Sequence, residues 1–116
     1  MAKRAARPSV LAPGGFGAFV LDQLSGLDGV EAKAMFGGAG FYLDELFFGI
    51  LYKEHLYFRV SDETIGDYKK RKMKPFEPFE GRKGNTRYYE VPLEILESPR
   101  DLVAWARKAA KAQEDK

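Results

Sequence analysis

The chain has 116 residues, 45% hydrophobic and 14% aromatic, a size that removes roughly two thirds of the unfolded surface from water around a single core. Its charged residues, 31% of the total, are mixed in sign and sum to +2, which argues against global disorder and leaves nucleic-acid binding to depend on whether cations gather on one surface. The absence of cysteine excludes disulfides, thiolate metal sites, iron–sulfur clusters and thiol nucleophiles, so stability rests on packing.

Residues 1–15 carry Lys3, Arg4, Arg7, Pro8, Pro13, Gly14 and Gly15 with little apolar content to offset the entropy of ordering them. They are expected to form a flexible basic tail ahead of one domain over 16–113. The start lacks the apolar stretch of an export signal, and no apolar run approaches the roughly twenty residues of a membrane span, so a cytoplasmic protein without membrane contact is expected.

From Phe16 the spacing of Phe16, Phe19, Val20, Leu24 and Leu27 predicts a helix, interrupted on its apolar stripe only by Gln23. Gly26 is expected to close it in the left-handed conformation, with Asp28-Gly29 turning into a strand. Val30, Ala32, Ala34 and Phe36 alternate with Glu31, Lys33 and Met35, the period of a strand with one face toward a core. Three further strands are expected at Phe41–Leu43, Leu46–Tyr52 and Leu56–Val60, separated by Asp44-Glu45 and Lys53-Glu54. Connections this short make the strands an antiparallel meander.

Ser61 is placed to cap a second helix, with Asp62 and Glu63 in its first turn and Lys69, Lys70, Arg71 and Lys72 in its last, a charge order that suits the helix dipole. The prolines of Pro75-Phe76-Glu77-Pro78-Phe79-Glu80 restrict that segment to an edge strand or an irregular extended piece. Gly81 to Gly84 reads as a basic turn, Thr86 to Val91 as another strand, and Pro92 to Leu96 as a short helical turn. Ser98-Pro99-Arg100-Asp101 then supplies a cap, a proline at the first helical position and a first-turn acid ahead of Leu102, Trp105, Ala106 and Ala109.

Little catalytic chemistry can be assembled from these residues. His55 is the only histidine, which rules out a two-histidine metal site, and it sits beside a hairpin turn where a solvated or edge position is expected. Asp44 and Glu45 are adjacent at a turn and diverge, whereas an acid–base pair must converge on one bond. Glu77 and Glu80 would approach each other only through the shape of a loop. Gly37-Gly38-Ala39-Gly40 leads into a strand, not the helix that a phosphate cradle requires, so a hairpin bend or bulge is expected there. No catalytic residue, metal site or cofactor is assigned.

One basic region remains. Between residues 69 and 87 eight cations (Lys69, Lys70, Arg71, Lys72, Lys74, Arg82, Lys83, Arg87) face two acids, a local charge of +6, with Tyr68, Phe76, Phe79, Tyr88 and Tyr89 interleaved. Such a composition suits phosphate contacts with base stacking, and equally a solvated helix end beside core aromatics. The second reading is favoured, with an anionic partner as the alternative.

The run Phe19-Val20-Leu21-Asp22-Gln23-Leu24, then Met35-Phe36-Gly37-Gly38 with Gly40, Tyr42-Leu43-Asp44, Phe48-Gly49, Leu56-Tyr57-Phe58, Tyr88-Tyr89-Glu90-Val91-Pro92 and Trp105-Ala106 resembles the TfoX N-terminal domain family, named after bacterial regulators of competence for DNA uptake. The resemblance spans nearly everything from Phe16 to Ala110. It implies an α+β fold, an antiparallel sheet covered by helices in two layers, in the order helix, strands, helix, strands, helix, and a non-enzymatic role beside a transcription activator. It supplies no catalytic residues. The competence regulators carry a further C-terminal domain, which is not expected in a chain ending at Lys116. Asp44-Glu45 stands where the family commonly has Asp-Gly, and because glutamate resists positive φ a different or longer turn is expected.

The leading expectation is therefore a regulatory binding module that contacts a protein partner, a homodimer through a strand bearing Phe76 and Phe79, and at most a weak nonspecific contact with nucleic acid. The alternative is a small-molecule or enzymatic domain with a pocket lined by Phe41, Tyr42, Tyr52, Tyr57, Tyr88 or Tyr89.

Overall fold

A computed structural model describes residues 14–35, 37–77 and 85–115. Helix α1 (Phe16–Gln23) leads into strands β1 (Val30–Met35), β2 (Gly38–Leu43), β3 (Leu46–Tyr52) and β4 (His55–Arg59). Helix α2 (Ile65–Lys69), strands β5 (Pro75–Phe76) and β6 (Asn85–Glu90), and helices α3 (Leu93–Leu96) and α4 (Pro99–Glu114) complete the chain. The sheet runs β1-β2-β3-β4-β6-β5 with every neighbouring pair antiparallel, so the fold is α+β and the meander is present.

The described helices that pack on the sheet lie on one side of it. The alternation of β1 and β2 sends Val30, Ala32, Ala39 and Phe41 to that side, and β4 adds Leu56 and Phe58. Against them stand Val20 and Leu24 of α1, Tyr68 of α2, and Leu102, Ala106 and Ala109 of α4, in one continuous core. Phe41, Phe48 and Phe58 are fully buried at its centre, with ring centroids 6.5 Å apart for the first two and 5.5 Å for the last two.

A bulge explains how Phe48 reaches that centre. Phe41 pairs with Gly49 while Tyr42 pairs with Phe47, leaving Phe48 as the extra residue of β3. Gly49 therefore occupies the core-facing register position, where a Cβ would meet Phe58 Cδ1 at 3.3 Å and Phe41 Cβ at 3.4 Å. The glycine leaves that space empty and the Phe48 ring fills the core beside it.

Several local expectations change. Helix α1 ends at Gln23, and the left-handed glycine is Gly29 (φ +93), with Gly26 taking an ordinary φ. Gln23 donates from Nε2 to the Leu96 carbonyl at 2.9 Å, which explains its place on the apolar stripe. Asp44 and Glu45 form no longer turn: Leu43 pairs with Leu46, and both turn residues accept positive φ (50° and 73°). Lys53 and Glu54 do the same (51° and 64°) between the paired residues Tyr52 and His55. These are the backbone signs of a type I′ turn, built twice without glycine because the strands on either side hold the register.

Helix α2 is five residues long and begins after a turn, since Ser61 Oγ accepts from the Glu63 amide at 3.2 Å instead of capping a longer helix. Its end is closed by Lys72 in the left-handed region (φ 63°) and by the Met73 amide donating back to the Tyr68 carbonyl at 3.0 Å. In contrast, Ser98 caps α4 as expected, accepting from the Asp101 amide at 3.4 Å with Pro99 in the first turn. Phe36, the tail over residues 1–13, and Pro78, Phe79, Glu80 and the turn from Gly81 to Gly84 lie outside the described residues.

Candidate interaction surface

The other side of the sheet carries no described helix. The register places Glu31 and Lys33 of β1, Tyr42 of β2, Phe47, Ile50 and Tyr52 of β3, His55, Tyr57 and Arg59 of β4, and Tyr88 and Glu90 of β6 there. Two aromatic groups organise this surface. Tyr42, Phe47 and Tyr88 form a row with successive centroid distances of 5.1 and 5.6 Å, flanked by the Lys33 ammonium 4.9 Å from the Tyr42 ring and the Arg59 guanidinium 5.9 Å from the Tyr88 ring. Each cation sits where the ring quadrupole attracts it.

Phe76 of the edge strand β5 turns onto the same side, 5.7 Å from Tyr52 and 4.9 Å from Tyr57. The rings of the first row and of this cluster are half-buried, except Tyr88, which is 3% exposed. Burial raises the Tyr88 hydroxyl above its ordinary pKa although Arg59 pulls it down, and burial followed by the Glu90 and Glu77 carboxylates raises that of Tyr57. His55 is exposed as expected, and its Nδ1 meets Glu90 Oε2 at 2.5 Å across the sheet.

The six aromatics that would line a pocket do not converge. Phe41 and Tyr89 point into the core, whereas Tyr42, Tyr52, Tyr57 and Tyr88 belong to the opposite side. Among the described residues every buried side chain is apolar or a tyrosine, and no group of histidine, aspartate and glutamate could hold a metal ion. An open depression of about 450 Å³ between the turn at 61–64 and the end of α4 is lined by the acids Asp62, Glu63, Asp67 and Asp115 and by Lys108 and Lys111, with Lys111 3.3 Å from Asp115. Gly37 (φ +78) and Gly38 belong to the connection and start of β2, the hairpin expected of the glycine cluster.

Lys69, Lys70, Lys72 and Lys74 are exposed around the end of α2, and Lys70 lies 3.6 Å from Asp67. Arg71 is held structurally, donating to Glu94 at 3.2 Å and to the Asp67 carbonyl at 3.0 Å, with its guanidinium 5.3 Å from the Trp105 ring. Arg87 is exposed on β6, while Arg82 and Lys83 lie outside the described residues. Lys33 and Arg59, which share a side with the aromatics, escaped the sequence reading because only the strand register reveals that they do. The alternation of β1 and β4 was the available signal.

The arrangement defines a class: an α+β domain with a filled core and a partly exposed aromatic sheet face. The TfoX N-terminal domain model matches residues 22–113, and the chain belongs to that family. Its membership supports a regulatory type of domain related to competence, in a family that is generally non-enzymatic. No curated protein matches the chain. No helix among the described residues is long and apolar enough to cross a membrane.

Proposed function

We propose that this domain is a non-enzymatic cytoplasmic regulator that works by contacting a protein partner, a transcription activator, through the side of the sheet opposite the described helices. The observation that carries this reading is the row Tyr42, Phe47 and Tyr88 with Lys33 and Arg59 at its ends, amphipathic rings held rigid at low entropic cost, which is the composition favoured at protein contacts. The test is capture from a bacterial lysate by the tagged chain and by Tyr42→Asp and Phe47→Asp variants. A transcription activator retained by the unaltered chain and lost from both folded variants supports the reading. Retention by the variants, or capture of no activator, refutes it.

A weaker contact with DNA is a second reading, supported by exposed Lys69, Lys70, Lys72 and Lys74 at one end of α2. It predicts binding of labelled duplex at low salt that falls as salt rises and is reduced when Lys69, Lys70 and Lys72 become glutamate.

A further inference from the structure

The two edges of the sheet are treated differently. At one edge β5 is two residues long, starts with Pro75 and joins β6 through an irregular register. All three are features that discourage pairing with another chain. At the other edge β1 runs for six residues without proline or bulge, in unbroken register with β2. Its side chains at Ala32 and Ala34 are small, and outside the β1–β2 ladder no backbone hydrogen bond reaches residues 30–35 among the described residues.

Met35 and Gly38 pair across a two-residue connection, and a pair closing such a turn exchanges its hydrogen bonds inward. Along β1 the odd-numbered residues therefore bond β2, while the N–H and C=O groups of Val30, Ala32 and Ala34 point out of the edge. An identical strand approaching antiparallel meets these groups with its own, and the charges choose among the registers. Centred on Glu31 or on Lys33, the pairing sets like charges opposite one another. Centred on Ala32, it sets Glu31 opposite the second copy's Lys33 and repeats that contact by symmetry, in the close non-hydrogen-bonded positions where cross-strand side chains interact most. A single edge lysine would repel a second copy; Lys33 with Glu31 two residues before it recruits one.

We propose that β1 is a homodimerisation edge: two chains pair antiparallel about Ala32, with reciprocal Glu31–Lys33 contacts, and join their sheets into one of twelve strands. Lys33 belongs both to this edge and to the aromatic side, where it lies 4.9 Å from the Tyr42 ring, but sedimentation of the chain alone reads only self-association, so a negative result there leaves the proposed partner contact standing. This pairing also places self-association at the edge opposite the Phe76 strand, whose ring is already engaged by Tyr52 and Tyr57.

Sedimentation of the full chain over a concentration series tests the proposal. The unaltered chain is expected to dimerise, with hydrogen-exchange protection at Val30, Ala32 and Ala34 that grows with concentration while Glu31 and Lys33 amides stay protected throughout. Lys33→Glu, an exposed change compatible with folding, creates two like-charge contacts and should weaken dimerisation about tenfold. The exchange of both charges, Glu31→Lys with Lys33→Glu, should restore it to within about threefold of the unaltered chain. A chain that is monomeric at every concentration, or a dimer indifferent to Lys33→Glu, overturns the proposal.

Discussion

Phe47 and Phe48 are neighbours in sequence and belong to opposite sides of the sheet. Phe48 is sealed between Phe41 and Phe58 beneath α4, whereas Phe47 lies half-exposed between Tyr42 and Tyr88. Both sides are aromatic; what separates them is cover. On the helical side the rings meet aliphatic groups and water is excluded, so their worth is measured in folding stability. Across the sheet the rings meet one another and the flanking cations, leaving apolar surface for another molecule to bury.

That contrast can be broken most forcefully at the bulge. Phe48→Ala leaves a cavity among fully buried rings and should cost about 3–5 kcal/mol, whereas Phe47→Ala next door should cost about 1–2 kcal/mol because much of its ring is already hydrated. Urea denaturation of both variants checks the pair, and equal losses would contradict the assignment of sides.

Alkaline titration sharpens the comparison at the tyrosines. Burial, with a smaller contribution from the Asp67 charge, raises the Tyr68 hydroxyl far above its ordinary value of 10.0, and Tyr57 and Tyr88 shift in the same direction. Since the folded form holds these protons more tightly than the unfolded chain does, their contribution is complete below pH 10 and is lost as pH rises above it, at up to about 1.4 kcal/mol per pH unit for each group. Tyr68→Phe should make the decline shallower, as followed by denaturant midpoints across the alkaline range.

The smallest effect is expected at the turn. Glu45→Gly relieves a non-glycine residue at φ 73° and should stabilise the chain by about 0.5–1 kcal/mol, read as a raised denaturation midpoint without a change in slope.

Local chemistry made much of this fold legible. Ser98, Pro99 and Asp101 announce the start of α4, and the alternation through residues 30–34 and 55–60 identifies two strands because each has one face in the core. The apolar run from Leu46 to Tyr52 identifies a strand without revealing its bulge, since unbroken hydrophobicity carries no record of which side each residue faces. Ser61 is an adequate cap for a longer α2; tertiary packing instead uses it in a turn. Asp44-Glu45 argues against a tight hairpin on local grounds, and sheet pairing overrides that preference. The interaction surface was hidden for a related reason: its residues come from β1, β2, β3, β4 and β6, and their convergence depends on register and on the side the helices choose.

Helix α4 has a further consequence for biosynthesis. The strands that carry Phe41, Phe48 and Phe58 are translated before Leu102, Ala106 and Ala109, which roof them. Until that helix emerges, the nascent meander holds its greasiest surface open to water, together with an unguarded rim at β1. Chaperone demand during synthesis should therefore peak just before the roof closes.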